Sequence, residues 1–356
     1  MRSLVALALA TSVISLAVAQ AAPFEPGERP LAPALGPKPA EPRDLTPLAR
    51  ANTDMLASYH ALLTQVSGPA AADLVESQGL WYRYAPERCQ IAQDLADKSL
   101  RGAHRETPTQ CLLRAVVERQ AELKAALQTV GPWTFLRLTE HRIRLARPDH
   151  GAGPVEESVT RLQIAHPADD GQRRWNATVA HQLDQTIQAA EDLADRNQRL
   201  VTSEGRDTSV HAAIELVSVT PDLIDVTIHA LADPAGPPPP QSATRSLIWS
   251  ARLSRPIDAT DLFDPKALWR PSLAQMAVDR VVASPGVAPP SAQAVAPLAA
   301  DPGRWTLTQG GLMVDLRPPT PGAAPVSALV PWPLLSPYLK RPLFVDPSSL
   351  MESARG

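Results

Sequence analysis

The sequence predicts an α+β chain: an N-terminal all-α helical module with one disulfide, then an antiparallel β-sheet domain packed with two main helices. Three observations predict it. Apolar residues recur at helical spacing from Leu45 to about Val130. Beyond Gly131-Pro132 the period shortens to two, as strands require. Strands then come in consecutive groups with helices inserted between the groups, which is the α+β order.

The chain opens with "MRSLVALALATSVISLAVAQ". One early charge, Arg2, precedes an apolar run from Leu4 to Val18, and Ala17 and Ala19 stand at an A-x-A cut. That is the pattern of a secretory signal peptide over 1–19. The run is short for a bilayer span, which needs ~20 residues, and no charged stop-transfer segment follows. No later stretch reaches that length, so no membrane span is expected after cleavage. Residues 20–44, dense in proline, read as an extended tether. With the Ala, Pro and Arg bias, the expected location is the periplasm, or the medium.

The helical module, 45–130, begins with Leu56, Tyr59, Leu62 and Leu63 on one face. After the break at Ser67 to Pro69, Leu74, Gln78, Trp81 and Tyr82 repeat the spacing. A third helix follows Thr107, with Pro108 at its first position and Gln110 completing a capping box. Leu112, Val116, Leu123 and Leu127 mark its apolar stripe, which places Glu118, Arg119, Glu122 and Lys124 mostly on the solvated side. Gly131-Pro132 ends it. The chain's two cysteines, Cys89 and Cys111, lie in this module, and an isolated pair in an oxidising compartment forms a disulfide.

The α+β domain, 133–343, starts with strands in "TFLRLTEHRIRLA" and "ESVTRLQIAHP". A long amphipathic helix follows, with Trp175, Val179, Leu183, Ile187 and Ala190 on one face. In the next two strands Val210, Ala212, Ile214 and Leu216 alternate with polar positions, and Ile224, Val226 and Ile228 alternate with Asp225, Thr227 and His229. Leu247, Trp249, Ala251 and Leu253 alternate in a further strand. The second main helix carries Leu262, Phe263, Trp269, Leu273 and Ala277 inward. "SPGVAPPSAQAVAPLAADPG" reads as a flexible insertion. The last hairpin of the sheet turns at Gly310-Gly311, with Leu312, Val314 and Leu316 on one face, and Val326, Ala328 and Val330 close it. Residues 344–356 are a C-terminal tail.

Composition excludes some functions. The formal charge of −3 over 356 residues carries no basic face for nucleic acid. No nucleophile elbow, H-E-x-x-H or phosphate loop is present, so no catalytic residue and no cofactor are expected. "HPADDG", from His166 to Gly171, is a strand-to-helix turn rather than a deacetylase motif. His141, Asp149 and His150 lack fixed ligand spacing, so no metal site is expected there. His211 and His229 fall on adjacent strands, and pairing across a hairpin or ordinary cross-strand packing explains them equally well. Glu118 and Glu122 share a helix face without a cleft partner. Trp81, Trp175, Trp249 and Trp269 lie on apolar faces and read as core, whereas Trp305 and Trp332 flank the final strands and form a candidate binding platform for sugar or protein.

Two stretches resemble known families. "MLASYHALL", "LVESQGLWYRYAPERC" and "CLLRAVVERQAEL" are similar to the N-terminal domain of LprI-type lysozyme inhibitors, matching at Tyr59, Gln78, Trp81, Cys89, Cys111, Arg119 and Leu123. An earlier cysteine pair frequent in that family is missing here. "RRWNATVAHQLDQ", "DATDLFD" and "WTLTQGGLMVDL" with "ALVPWPLLSPYL" resemble the extracytoplasmic domain of RsiV, which also precedes the catalytic part of the deacetylase PdaC. "GPPPPQSA" stands where that family has a Gly-rich, His-containing stretch. The resemblances imply an exported, non-enzymatic cell-envelope protein that binds or inhibits a lysozyme-like muramidase. The alternatives are a peptidoglycan- or glycan-binding or scaffolding module using Trp305 and Trp332, and an unrecognised cell-wall enzyme. Oligomeric state is open.

Overall fold

The structure is a computed structural model, and it describes residues 46–98, 107–145, 154–201, 208–234, 240–281, 291–317 and 326–341. The signal peptide, the tether and the C-terminal tail expected from the sequence lie outside these residues, as do Asp149 and His150. The class is α+β, as the sequence predicts.

Three helices open the fold: α1 (Thr46–Leu63), α2 (Pro69–Lys98) and α3 (Pro108–Lys124). Gly68 turns the chain between the first two at φ +59°, a conformation that glycine adopts without a Cβ clash. The capping box at the head of α3 forms as its sequence requires: Thr107 accepts from the Gln110 N–H, and the Gln110 side chain accepts from the Thr107 N–H. Cys89 and Cys111 are disulfide-bonded, tying α2 to α3 with Cα atoms 5.7 Å apart. A closed loop of this length removes about 3 kcal/mol of unfolded-chain freedom.

The helical pattern ends earlier than expected. Leu127–Val130 is a strand, β1, paired with β2 (Trp133–Leu145) through a two-residue hairpin. Gly131, at φ +57°, takes the first central position of that turn, which demands a left-handed residue. Gly131-Pro132 is thus a hairpin turn and not a simple helix stop.

Strand β3 (Pro154–Ile164) pairs antiparallel with β2. Helix α4 (Asp170–Val201) then carries the chain back across the sheet, so β4 (Thr208–Val219) lies parallel to β3. The expected antiparallel sheet is therefore mixed. Antiparallel β5 (Leu223–Pro234), β6 (Gln241–Ser250) and the two-residue β7 (Arg255–Pro256) complete seven strands in sequence order. β6 stops at Ser250; Ala251 belongs to a turn and Leu253 is exposed, which corrects the longer strand read from alternation.

The C-terminal part adds α5 (Ala259–Leu262), α6 (Trp269–Val278), α7 (Ala292–Ala299), β8 (Trp305–Leu307), β9 (Gly311–Asp315), β10 (Ser327–Pro331) and α8 (Trp332–Leu335). Its strands form a separate three-stranded sheet rather than the end of the large one. Part of the segment read as a flexible insertion is helix α7: Ser291 caps it, and Val295 and Ala299 are buried.

The large sheet is covered on both faces over β5 and β6. Ile224, Val226, Ile228, Leu247 and Trp249 pack with Trp175, Val179 and Leu183 of α4. Leu223 and Ile248 point the other way, into a core with Phe263, Trp269, Leu273, Trp305 and Leu312. The helical module shares a third core with Leu136, Leu138 and Ala165 of the sheet.

Candidate recognition site at the helix–sheet junction

Strand β2 has a partner on its outer side only over its first residues, where β1 pairs with it. Beyond that its edge would present unpaired backbone groups, a liability that folds normally cover. The helical module covers it. Ser77 Oγ and Arg119 Nη1 both donate to the Thr139 carbonyl oxygen, at 3.1 and 2.9 Å.

Arg119 is the centre of this seam. It is 1% exposed, which corrects its expected place on the solvated side of α3. Its Nε donates to Gln78 Oε1, Nη2 to Ser77 Oγ, and Nη1 also to Glu122 Oε2. Gln78 in turn donates to Met55 Sδ of α1. Burial pushes the Arg119 guanidinium below its usual pKa, against the pull of Glu122. Burial alone would raise the Glu122 carboxyl, but His141 and Arg119 outweigh it and hold Glu122 below the ordinary carboxylate range.

The network continues on the sheet. His141 Nε2 lies 3.2 Å from Glu122 Oε1, and its ring stacks on Tyr84 at 5.0 Å between centroids. The Tyr84 hydroxyl donates to Glu156, which Arg88 also approaches at 3.3 Å. Burial first, and the Glu156 hydrogen bond second, push the Tyr84 phenol above its usual pKa. Tyr59, Gln78, Trp81, Cys89, Cys111, Arg119 and Leu123, the positions that carry the LprI-type resemblance, are all buried. They hold the module together and present no surface to a partner.

On the sheet beside this seam lies a cleft of about 360 Å³ between α2 and α4. It is lined by Leu136 and Leu138, which belong to the core of the helical module, and by Leu162, Ile164 and Ile214, which belong to the core under α4. Its walls are small: Ala70 on α2, Ala177 and Ala180 on α4. Asn176 fixes the α4 wall, accepting from the Ile164 N–H at 2.8 Å and donating to the Ile164 carbonyl at 3.1 Å. The rim is polar and its charges are engaged. Gln163 donates to Asp73, Arg161 pairs with Glu140 and Asp184, and Arg173 pairs with Asp170.

The expected aromatic platform does not form. Trp305 is 0% exposed and its Nε1 donates to the Ala299 carbonyl; Trp332 is 9% exposed and donates to the Thr308 carbonyl. Both indoles belong to the C-terminal core, where Trp305 meets Phe263 and Trp269 edge-on. Trp81, Trp175, Trp249 and Trp269 are buried, as the sequence predicts. His166–Gly171 is the turn into α4, with Asp169 accepting from the Gln172 N–H. His211 and His229 are not cross-strand partners: His211 faces Leu231, and His229 faces Ala213. Glu118 and Glu122 differ, since only Glu122 joins the Arg119 seam. Among the described residues no three His, Cys, Asp or Glu side chains are placed to hold a metal ion.

Sequence reading missed the cleft entirely. It also missed Arg119, although a signal was present: Leu112, Val116, Arg119 and Leu123 follow one stripe at helical spacing.

No family model matches the chain, and no curated protein matches it. Solved structures of two DUF3298 family proteins are similar in part. The one from Bacteroides fragilis NCTC 9343 is 12% identical with a TM-score of 0.42, over 60% of this chain and 96% of that one. The one from Pseudomonas aeruginosa PAO1 is 13% identical with a TM-score of 0.37, over 59% and 95%.

Proposed function

We propose that this chain is a non-enzymatic binding protein of the cell envelope, acting in the periplasm on a lysozyme-like muramidase. The observation that carries the binding reading is the cleft at the helix–sheet junction, whose rim charges are each already paired within the fold. Acid–base chemistry needs an ionisable group free to meet substrate. A recognition surface needs a shaped, largely apolar depression with a settled polar rim. The disulfide accords with an oxidising compartment. Among the described residues no helix is long and apolar enough to cross a membrane. The muramidase is suggested by the two sequence resemblances, and its inhibition would be steric, with roughly 1,600 Å² buried as in a standard interface.

The glycan-binding alternative loses its platform with the burial of Trp305 and Trp332. An enzyme would need ionisable groups gathered in the cleft and unpaired.

The test is to add the purified mature protein to a panel of muramidases and follow clearing of a cell-wall suspension. Slowed clearing and stoichiometric co-elution are expected. Unchanged rates and no co-elution at micromolar concentration overturn the muramidase reading. Retention on purified peptidoglycan without muramidase binding favours the glycan alternative instead.

A further inference from the structure

We infer that Asp225 is a proton-operated latch between the large sheet and the C-terminal part: with its carboxyl neutral the two stay docked, and with the carboxylate formed they part as folded units. The inference goes beyond the binding reading above and does not depend on the identity of a partner. Three features carry it.

The first is position. Asp225 stands on the face of β5 that meets the C-terminal part, the face it shares with Leu223, and it is buried. Its Oδ2 accepts the Leu307 N–H of β8 across the contact at 2.9 Å, and its Oδ1 has no hydrogen-bond partner. Its cross-strand neighbours, Ser218 on β4 and Ile248 on β6, carry no charge. A neutral acid leaves one hydroxyl unsatisfied in this place. A carboxylate leaves a charge with one donor and no water, which costs far more.

The second is the engagement of the surrounding charges. Arg304, just before β8, donates to the Asp315 and Arg317 carbonyls, and Arg255 of β7 is held by Asp261. Arg245 of β6 pairs with Ile228 and so stands on the opposite face. Glu215 and His229 share the face of Asp225 one and two cross-strand pairs further along, both exposed and 3.8 Å from each other. Burial is therefore offset only in part, by the Leu307 N–H, and the carboxyl stays well above the ordinary 3.8.

The third is separability. The core that spans the contact is built mainly within the C-terminal part, around Phe263, Trp269, Trp305, Val314 and Val330. From β4, β5 and β6 it takes two side chains, Leu223 and Ile248; the buried Ser218, Ser246 and Ser250 stand on the same face beside them. Parting the two units uncovers few apolar groups of the sheet, which keeps its own core with α4. Once parted, Asp225 meets water and ionises as an ordinary carboxyl. The docked state thus binds the proton more tightly than the parted one. Docking is favoured at low pH and weakens as pH rises from about 3.8 toward the docked-state pKa. One proton limits the change in the opening constant to about tenfold per pH unit.

The Leu307 amide reports the latch itself, because its hydrogen bond crosses the contact, whereas amides of the β9–β10 and β5–β6 ladders report the two units. The experiment is hydrogen exchange by NMR on the full mature chain from pH 4 to 8, with rates corrected for the intrinsic pH dependence of exchange. Protection at Leu307 should fall by up to about tenfold per pH unit while both ladders keep theirs. Asp225→Asn keeps an acceptor for Leu307 and should make its protection independent of pH. If that variant misfolds, Ser246→Cys with Thr306→Cys, whose hydroxyls lie 3.4 Å apart across the contact, ties it shut by a disulfide and should keep Leu307 protected throughout. A fall shared equally by the ladders, flat protection at Leu307 in the parent, or a fall that survives in either folded variant would each overturn the inference.

Discussion

The large sheet is docked twice, and the two seams are built from different materials. Where the helical module meets the edge of β2, the contact is a run of hydrogen bonds and charges: Ser77, Gln78, Arg119, Glu122 and His141 around the Thr139 carbonyl. Where the C-terminal part meets the face of β5 and β6, the contact is apolar, with Leu223 and Ile248 joining the core of Phe263, Trp269, Trp305 and Leu312. Asp225 is buried at that contact, and its carboxyl accepts from the Leu307 N–H at 2.9 Å. A polar seam gains little net energy, since its groups surrender water, but it fixes one pose closely. An apolar seam supplies cohesion and tolerates small shifts. The cleft lies against the polar seam, where geometry is held best.

The largest expected effect tests the apolar seam. Trp305→Ala removes a fully buried indole and its bond to Ala299, and should cost about 4 kcal/mol of unfolding free energy. Urea unfolding followed by the remaining tryptophans measures it. A loss below 1 kcal/mol, roughly the value for a tolerated surface change, would mean that Trp305 is not core.

Arg119→Ala tests the polar seam and should cost about 3 kcal/mol, because it strands Gln78, Ser77 and Glu122 in a closed interface. Arg119→Lys should recover only a minor part, since an ammonium cannot reach acceptors spread around a planar fork. Hydrogen exchange at the β2 edge gives the sharper readout. In Arg119→Ala, protection should fall along β2 while β5 and β6 keep theirs. Uniform loss across the sheet would show that the seam is only one part of a single cooperative core.

What was legible in the sequence divides along the same line. Apolar patterns gave the helices, most strands and the inward faces of α4 and α6, because burial of such residues needs no partner of a specific kind. The parallel β3–β4 pair was not legible, since pairing direction depends on where α4 delivers the chain. A polar residue misleads once: Arg119 reads as solvated by its type, although its spacing puts it in the apolar stripe. Alternation sets Asp225 opposite Ile224 and Val226, and that second face of β5 is covered as well. The uninterrupted Leu247-Ile248-Trp249 on the neighbouring strand was the available signal, because two-sided burial erases alternation. The cleft was invisible for a different reason. It is lined by residues of α2, β2, β3, α4 and β4 that only the fold brings together, so no local pattern in the chain marks it.

Between pH 3 and 5 Asp225 gives the smallest effect, and the most selective one. It is 1% exposed, and its Oδ1 has no hydrogen-bond partner. Burial raises its pKa well above the ordinary 3.8, and the Leu307 N–H offsets only part of that. The folded state therefore keeps the proton after the unfolded chain has lost it. Native protein then binds more protons than unfolded protein, and stability must fall as pH rises from about 3.8 toward the folded-state pKa. One proton limits the slope to about 1.4 kcal/mol per pH unit. Asp225→Asn keeps an acceptor for Leu307 and replaces the acidic hydroxyl by an amide, so it should remove this slope while matching the parent near pH 3. The comparison is the difference in unfolding free energy between parent and variant at successive pH values, which cancels every other titrating group. A difference that grows with pH in favour of asparagine places a neutral carboxyl in the apolar seam. A flat difference means that Asp225 ionises within the fold, and the second seam would then share the polar character of the first.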